Sequence, residues 1–433
     1  MKSINYKKII IALITIGIIL RIIYIIYTPI TERQHDMEKK YGHLDYIETI
    51  YETRKLPDNN KWQFYQQPLH HIIAALWLKA NTICGIDLSM AKENIQILTC
   101  IYSIAIMFIS YFILKEMEVK DKYKMLVMAI IAVHPTFIIL AGSINNDILM
   151  IMFTFLSLLY LVKWHKNSSL KNTILLALFV GLGALTKISS TIIAIPILYV
   201  FIDKFFKDFF KTKEKAKYIR NYAIKFTVFG IIALGIGLSF SLRNMIKFNQ
   251  SIFYVPKAGN SMYCGDRSLW DRFNFFSKEF AKVFCKPYED CNIWAYLIKS
   301  SLFGEYNIDG INLSIERMLL IINIIIIIIS IISLFIILIR QIRKESNSIV
   351  INTFIVFYIT EMVMFLYGNI SMPYGCTMDF RYIVPTIFLG MIFIVTILEK
   401  ENEKYYKSVL SIVTLFSVFS LVFELTNMKM LVI

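Results

Sequence analysis

Charge is scarce in this 433-residue chain: Asp, Glu, Lys and Arg together make up 18% of it, against roughly 25% in an ordinary soluble domain. That excludes a disordered chain, which needs high charge and low hydrophobicity. Glycine (16) and proline (9) are too few for collagen. The six cysteines form no Cys-x-x-Cys pair, so neither a dense disulfide scaffold nor a common zinc motif is present. The net charge of +15 suggests nucleic acid at first sight. However, the Lys and Arg fall in short connectors between apolar runs, with no basic domain or nucleic-acid motif.

What is abundant is apolar surface. The hydrophobic set reaches 57% and the mean hydropathy is +0.59. Runs near the ~20 residues needed to cross hydrocarbon recur throughout. They predict an all-α polytopic membrane protein in a single domain over 1–433. Eleven spans are expected: Ile9 to Tyr27, then about 94–114, 125–141, 148–163, 172–186, 188–202, 223–242, 317–339, 349–367, 381–398 and 407–425. The first run carries Arg21 and no small-residue cleavage site follows it, so it reads as a retained span rather than a signal peptide.

Two segments decide the topology. Leu69–Ile83 is short and carries His70, His71 and Lys79, with Leu69, Ile72, Ile73 and Leu76 on one stripe. It reads as an amphipathic helix at the interface. The run 172–202 would extend about 46 Å as one helix, too long for a bilayer, and Lys187 interrupts it. It reads as a hairpin turning there. With the N-terminus inside, the cytoplasmic connectors hold 24 of the 46 Lys and Arg, as the positive-inside rule requires. Two large segments, 28–93 and 243–316, and two short ones, 142–147 and 368–380, then lie outside. Ionisable residues within spans are few, chiefly Arg21 and Glu361, so chemistry is expected at the outer surface of the cytoplasmic membrane rather than along a transport path.

The first outer segment gathers His35, His43, His70 and His71 with Asp36, Glu38, Asp45 and Glu48. A surface helix is expected from His43 to Thr53, ended by Leu56-Pro57. Such clustering fits a metal site, a general base or a solvated loop. Asp147 follows Asn145-Asn146 at a span junction, where it reads equally as a helix cap. Lys187, Arg243 and Arg381 each sit at the outer end of a span, either to meet a lipid phosphate or to snorkel to headgroups. Cys285 and Cys291 are close enough in sequence to bridge in an oxidising space or to remain thiols. The aromatic residues of 243–316 (Tyr254, Tyr263, Trp270, Trp294) fit sugar stacking or membrane packing alike.

The order of these features resembles a family. His43-Leu44-Asp45-Tyr46-Ile47, the Gln67-Pro68-Leu69 turn, His134-Pro135 through Gly142-Ser143-Ile144-Asn145-Asn146-Asp147, Gly181 to Lys187, and Asp379-Phe380-Arg381-Tyr382 look like the GT-C membrane glycosyltransferases, in the protein O-mannosyltransferase and lipid A aminoarabinose transferase branch. The resemblance covers about 1–245. It implies transfer of a sugar from a polyprenyl-phosphate carrier to a hydroxyl on a protein, lipid or glycan acceptor at the extracytoplasmic face, with inversion. In these terms Asp36 is the general base and Asp45 and Glu48 are weaker alternatives. Asp147 and His43 serve the acceptor or support the site, and Lys187, Arg243 and Arg381 hold the donor phosphate. The chain departs from the pattern at Gly42-His43, where relatives carry Asp-Glu. It departs again at Gln66-Gln67, where some carry Glu and Lys; the loss of that Glu disfavours a divalent metal, and no cofactor is required. A lipid-linked glycan flippase without bond chemistry is the alternative from another class.

Overall fold

A computed structural model describes residues 4–37, 40–256, 262–306, 313–345, 348–401 and 405–430; Glu38 lies outside them. In chain order the helices are α1 Tyr6–Tyr27, α2 His43–Thr53, α3 Leu69–Ile83, α4 Leu88–Glu93, α5 Ile95–Glu116, α6 Asp121–Val133, α7 Pro135–Ile139, α8 Asp147–Lys166 and α9 Leu170–Thr186. They continue with α10 Ala194–Phe209, α11 Lys215–Gly237, α12 Ser239–Phe248, α13 Leu269–Phe273, α14 Ile293–Phe303, α15 Leu313–Ile342, α16 Ile349–Ser371, α17 Pro385–Lys400 and α18 Tyr406–Met430. Among the described residues there is no strand, only an isolated bridge between Tyr263 and Tyr374.

Eight of the helical segments are long and apolar enough to cross a membrane: α1, α4 with α5, α8, the 188–209 segment, α11, α15, α16 and α18. The first, of 22 residues, is about 33 Å long, enough for ~30 Å of hydrocarbon. Shorter apolar helices include α9 and α14, and the spans expected at 125–141 and 381–398 fall on the broken α6–α7 pair and on the 16-residue α17. The protein is an all-α polytopic membrane protein. The break between α6 and α7 has a local cause: Pro135 cannot donate to the preceding turn, and the His134 side chain accepts the Thr136 N–H, restarting the helix.

The centre of the bundle is α6, α8 and α17, whose side chains are buried almost throughout. Around them α1 packs on α6, α5 on α8, and α15 on α17 and α18. The α9–α11 contact is close because it is built from small residues: a Cβ on Gly237 would lie 2.8 Å from that of Ala184, and one on Gly181 3.2 Å from the Ala233 carbonyl. Arg21 pins α1 internally. It donates to Ser103 Oγ at 2.8 Å, to its own Gly17 carbonyl and to the Ala132 and Ile131 carbonyls, so a buried cation ties α1 to α5 and α6. Asn323 on the polyisoleucine helix bonds Ser301 Oγ at 3.0 Å.

The connectors gather at two ends. At one, Lys166 pairs with Glu118, Lys120 N–H donates to Glu399, and Arg340 pairs with Glu401. At the other lie the segment 28–93, the α7–α8 turn, the α9–α10 turn and the segment from α16 to α17. α3 has two faces, as an amphipathic helix does: Leu69, Ile72 and Ile73 of the sequence stripe are half-buried and Leu76 is exposed. His70, His71, Ala74, Ala75, Leu78 and Asn81 are buried, whereas Leu76 and Ile83 are exposed. The smaller, more polar face packs inward. In the 243–316 segment Cys291 is disulfide-bonded to Cys264, not to Cys285, which is a buried free thiol. Asn292, beside Cys291, donates its side-chain amide to the Asp271 and Asn274 carbonyls, which holds the chain after Cys264 against Cys291. There Lys299 and Asp290 form a fully buried ion pair at 2.8 Å that pins the segment.

Candidate active site

At the second end four charged side chains from four separate segments meet. Lys187 Nζ bonds Asp147 Oδ1. Arg381 reaches Asp147 Oδ2 with Nη1 at 3.8 Å and Asp36 Oδ2 with Nη2 at 3.4 Å. The Tyr382 ring lies 5.0 Å from Lys187 Nζ and 5.1 Å from the Arg381 guanidinium, a cation–π floor under both. The chain alternates carboxylate and cation: Asp36, Arg381, Asp147, Lys187. Asp147 and Arg381 are buried, at 2% and 5% side-chain exposure; Lys187 shows 14% and Asp36 27%, so the open side is at Asp36.

Each member is positioned by its local sequence. Lys187 caps α9 in an extended conformation and starts the 3-10 turn 188–193, so the hairpin presents it at the vertex. Asp147 opens α8, and Asn145 Oδ1 accepts its N–H at 3.0 Å. Arg381 follows Asp379, which accepts the Arg381 N–H and starts a short 3-10 turn. Asp36 has φ +54°, a left-handed backbone that Asp tolerates better than most residues, and its carbonyl accepts the His43 N–H at 2.9 Å. His43 therefore fixes the Asp36 loop through its backbone, on the first turn of α2.

Glutamines that the sequence pattern counted as departures hold the site together. The Asn146 side-chain amide donates to Gln66 Oε1 at 2.7 Å and to the Thr186 carbonyl at 2.8 Å. Gln67 Oε1 accepts the Ile188 N–H at 3.0 Å while its amide reaches Ser241 on α12. Gln34 clamps the Gly142–Ile144 turn from both sides, and His70 Nε2 meets the Ile144 carbonyl at 2.7 Å. The first loop thus holds both the Asp147 turn and the Lys187 turn.

Electrostatically the site divides. Burial pushes the His43 imidazole down to about 3 and His70 to about 4, with His71 also well below its ordinary value. These three are neutral rings, and His43 Nδ1 shares a hydrogen with His71 Nε2 across 2.9 Å. Burial would raise Asp36, but the charges around it, Arg381 foremost, hold it below the usual carboxylate range. Beside this group lies a second cluster, which joins His35 of the first outer segment and Asp379 to Glu305, a residue the sequence does not mark. His35 Nδ1 is 3.2 Å from Glu305 and His35 Nε2 is 3.8 Å from Asp379. Burial and the Glu305 charge push Asp379 up to about 6.

Of the sequence candidates, Asp36, Asp147, Lys187 and Arg381 come together, and His43 supports them. Arg243 stands apart: it donates to the Pro57 carbonyl at 2.9 Å and to Asn244 Oδ1 at 2.8 Å. It belongs to α12, which is tied to the Lys187 turn only through Gln67 and Ser241. Asp45 accepts the Tyr41 N–H and Glu48 pairs with Lys92, so both are occupied outside the cluster. His35, in the first-segment histidine cluster, and Asp379, in the Asp379-Phe380-Arg381-Tyr382 stretch, are both marked in the sequence; Glu305 offers no signal.

The family model of dolichyl-phosphate-mannose-protein mannosyltransferases matches residues 81–232, the stretch holding the Asp147 and Lys187 turns. No curated protein matches the sequence. Among solved structures, that of ArnT from Cupriavidus metallidurans bound to undecaprenyl phosphate is similar at 12% identity and a TM-score of 0.51, over 90% of this chain and 61% of that one. The chain thus spans about three-fifths of the length of that protein. This similarity over most of the chain, together with the apolar helices long enough to cross a membrane, makes this an integral membrane protein of the GT-C fold.

Proposed function

We propose that the protein is a membrane glycosyltransferase that moves a sugar from a polyprenyl-phosphate carrier to an acceptor hydroxyl, with the charged cluster as its active site. One observation carries this reading: in a GT-C fold, Asp36, Asp147, Lys187 and Arg381 converge from four segments at the end of the bundle away from the basic connectors. The positive-inside rule makes that end extracytoplasmic and the N-terminus cytoplasmic. The family match and the undecaprenyl phosphate bound to ArnT support a prenyl-phosphate donor for this chain as well. Protein, lipid and glycan acceptors all fit.

The chemistry follows from the charges. A polyprenyl phosphate leaves as a stable anion and needs cations rather than a proton. Lys187 and Arg381 supply them, the first as a point charge and the second as a planar fork. Arg243 is assigned to the flank of the carrier phosphate, on the helix that Gln67 ties to the Lys187 turn. Asp36 is the general base. Paired with Arg381 it is a weak one, because efficient bases have pKa values near the working pH. An arriving phosphate competes for Arg381, and every contact Asp36 loses raises its basicity. Donor binding thereby activates the base, and attack from the side opposite the leaving phosphate inverts the anomeric centre. Asp147, held between both cations, orients them and borders the acceptor.

The test is to incubate purified protein with a panel of polyprenyl-phosphate sugars and acceptor alcohols and to measure released polyprenyl phosphate. Release dependent on protein and acceptor supports the reading. Intact donor across the panel, with carrier bound and moved between leaflets in vesicles, supports a flippase instead.

A further inference from the structure

We propose that His35, Glu305 and Asp379 form a divalent-cation site beside Asp36. The three side chains come from the first loop, the turn after α14 and the segment before α17, and their nearest donor atoms all lie within 4.8 Å of one another. Bonds of about 2.0–2.2 Å to nitrogen and oxygen at tetrahedral angles place donors roughly 3.4 Å apart, so an ion closes the widest pair by about an ångström. Asp379 is 3% exposed on its side chain, and its Oδ2 has no hydrogen-bond partner. Its Oδ1 accepts the Arg381 N–H at 2.9 Å. Glu305 is turned inward by Gly304 at φ +61° and keeps one oxygen on the Tyr296 hydroxyl at 2.7 Å, which leaves the other for the cluster. A buried oxygen left unpaired costs free energy, and an ion removes that cost.

Charge gives an independent reason. Among the described residues Asp36, Asp147, Glu305 and Asp379 face Lys187 and Arg381 as permanent cations, so with a neutral imidazole these groups carry two negative charges in excess. One divalent ion balances that excess and strengthens the pull of Lys187 and Arg381 on a phosphate. A single imidazole with two carboxylates suits Mn2+ or Zn2+ better than a soft-ligand metal. The three protein donors leave coordination positions open for water or a phosphate oxygen. The ion's role beside Asp36 rests on the glycosyl-transfer reading; its binding does not.

The probe is MnCl2 added to detergent-solubilised full-length protein stripped with chelator and carrying no polyhistidine tag, followed by the loss of the free Mn2+ electron paramagnetic resonance signal. One saturable site is expected, competed by Zn2+. Glu305→Gln and Asp379→Asn should each weaken it at least about tenfold, and His35→Gln should do the same in protein that elutes as the wild type does. Should the variants fail to fold, pulsed resonance on the wild type decides alone: bound Mn2+ should show coupling to an imidazole nitrogen. No saturable binding at millimolar Mn2+, or binding without nitrogen coupling, overturns the proposal and leaves His35 a hydrogen-bonding partner between two carboxylates. Either result is read without glycosyl transfer, so it stands apart from the success or failure of that activity.

Discussion

Replacing Lys187 by Gln probes both the packing and the chemistry of the cluster. Lys187 is 14% exposed and its partner Asp147 2%. Removing one member of a buried pair costs about 3–5 kcal/mol. The figure is smaller here, about 2–3 kcal/mol, because Lys187 is partly solvated and Asp147 keeps Arg381 at 3.8 Å. Donor binding loses one charge-assisted contact, about 1.5–3 kcal/mol, or tenfold to over a hundredfold in affinity. The two effects separate in the double variant. Lys187→Gln with Asp147→Asn removes the stranded carboxylate and should recover most of the lost thermal stability, yet donor affinity should stay low. Thermal unfolding in detergent reads the first quantity, and undecaprenyl phosphate binding followed by intrinsic tryptophan fluorescence reads the second. An unchanged donor dissociation constant in the single variant, at undiminished stability, would refute the assignment and leave Lys187 a headgroup contact.

Three further outcomes are expected. With all six cysteines replaced by Ser, a cysteine introduced at exposed Lys55 should label in intact cells with an impermeant thiol reagent, and one at exposed Lys213 should not; equal labelling would reverse the sidedness. In chelator, acid should destabilise the fold below pH 6.5. The three depressed histidines bind protons only when unfolded, while Asp379, raised to about 6, opposes one of them. The net loss is roughly 3 kcal/mol per pH unit between about 6 and 4.5, and a melting temperature flat across that window would contradict the burial of His43, His70 and His71. Gly142→Ala should destabilise strongly, because its Cβ would lie 2.7 Å from the Tyr24 ring and 2.9 Å from Gln96; a wild-type melting temperature would contradict that packing.

The hairpin at Lys187 is legible in the sequence because an apolar run longer than a bilayer has to turn, and a lysine marks where. The helix His43–Thr53 and the grouping of Asp36, Asp147 and Arg381 on one side follow from periodicity and from the parity of the spans. Other features depend on contacts between residues distant in sequence. No local pattern says that Glu305 turns in toward His35, or that Cys264 outcompetes Cys285 for Cys291. The stripe on α3 marks an amphipathic helix but not which residues pack inward, because at a membrane interface an apolar face can meet lipid while smaller and more polar residues meet protein. Gln66 and Gln67 lack the charge expected of catalytic groups, yet their amides both donate and accept, which is what tying two turns together requires.

The central claim is that Asp36 deprotonates an acceptor in sugar transfer from a prenyl phosphate, and single-turnover release of polyprenyl phosphate by wild type and Asp36→Asn tests it most directly. The account predicts release by the wild type and a fall of roughly 10²–10⁴ in the variant, with donor binding nearly unchanged because the loss is confined to the transition state. Normal release by Asp36→Asn, and equally by Asp45→Asn and Glu48→Gln, would contradict it.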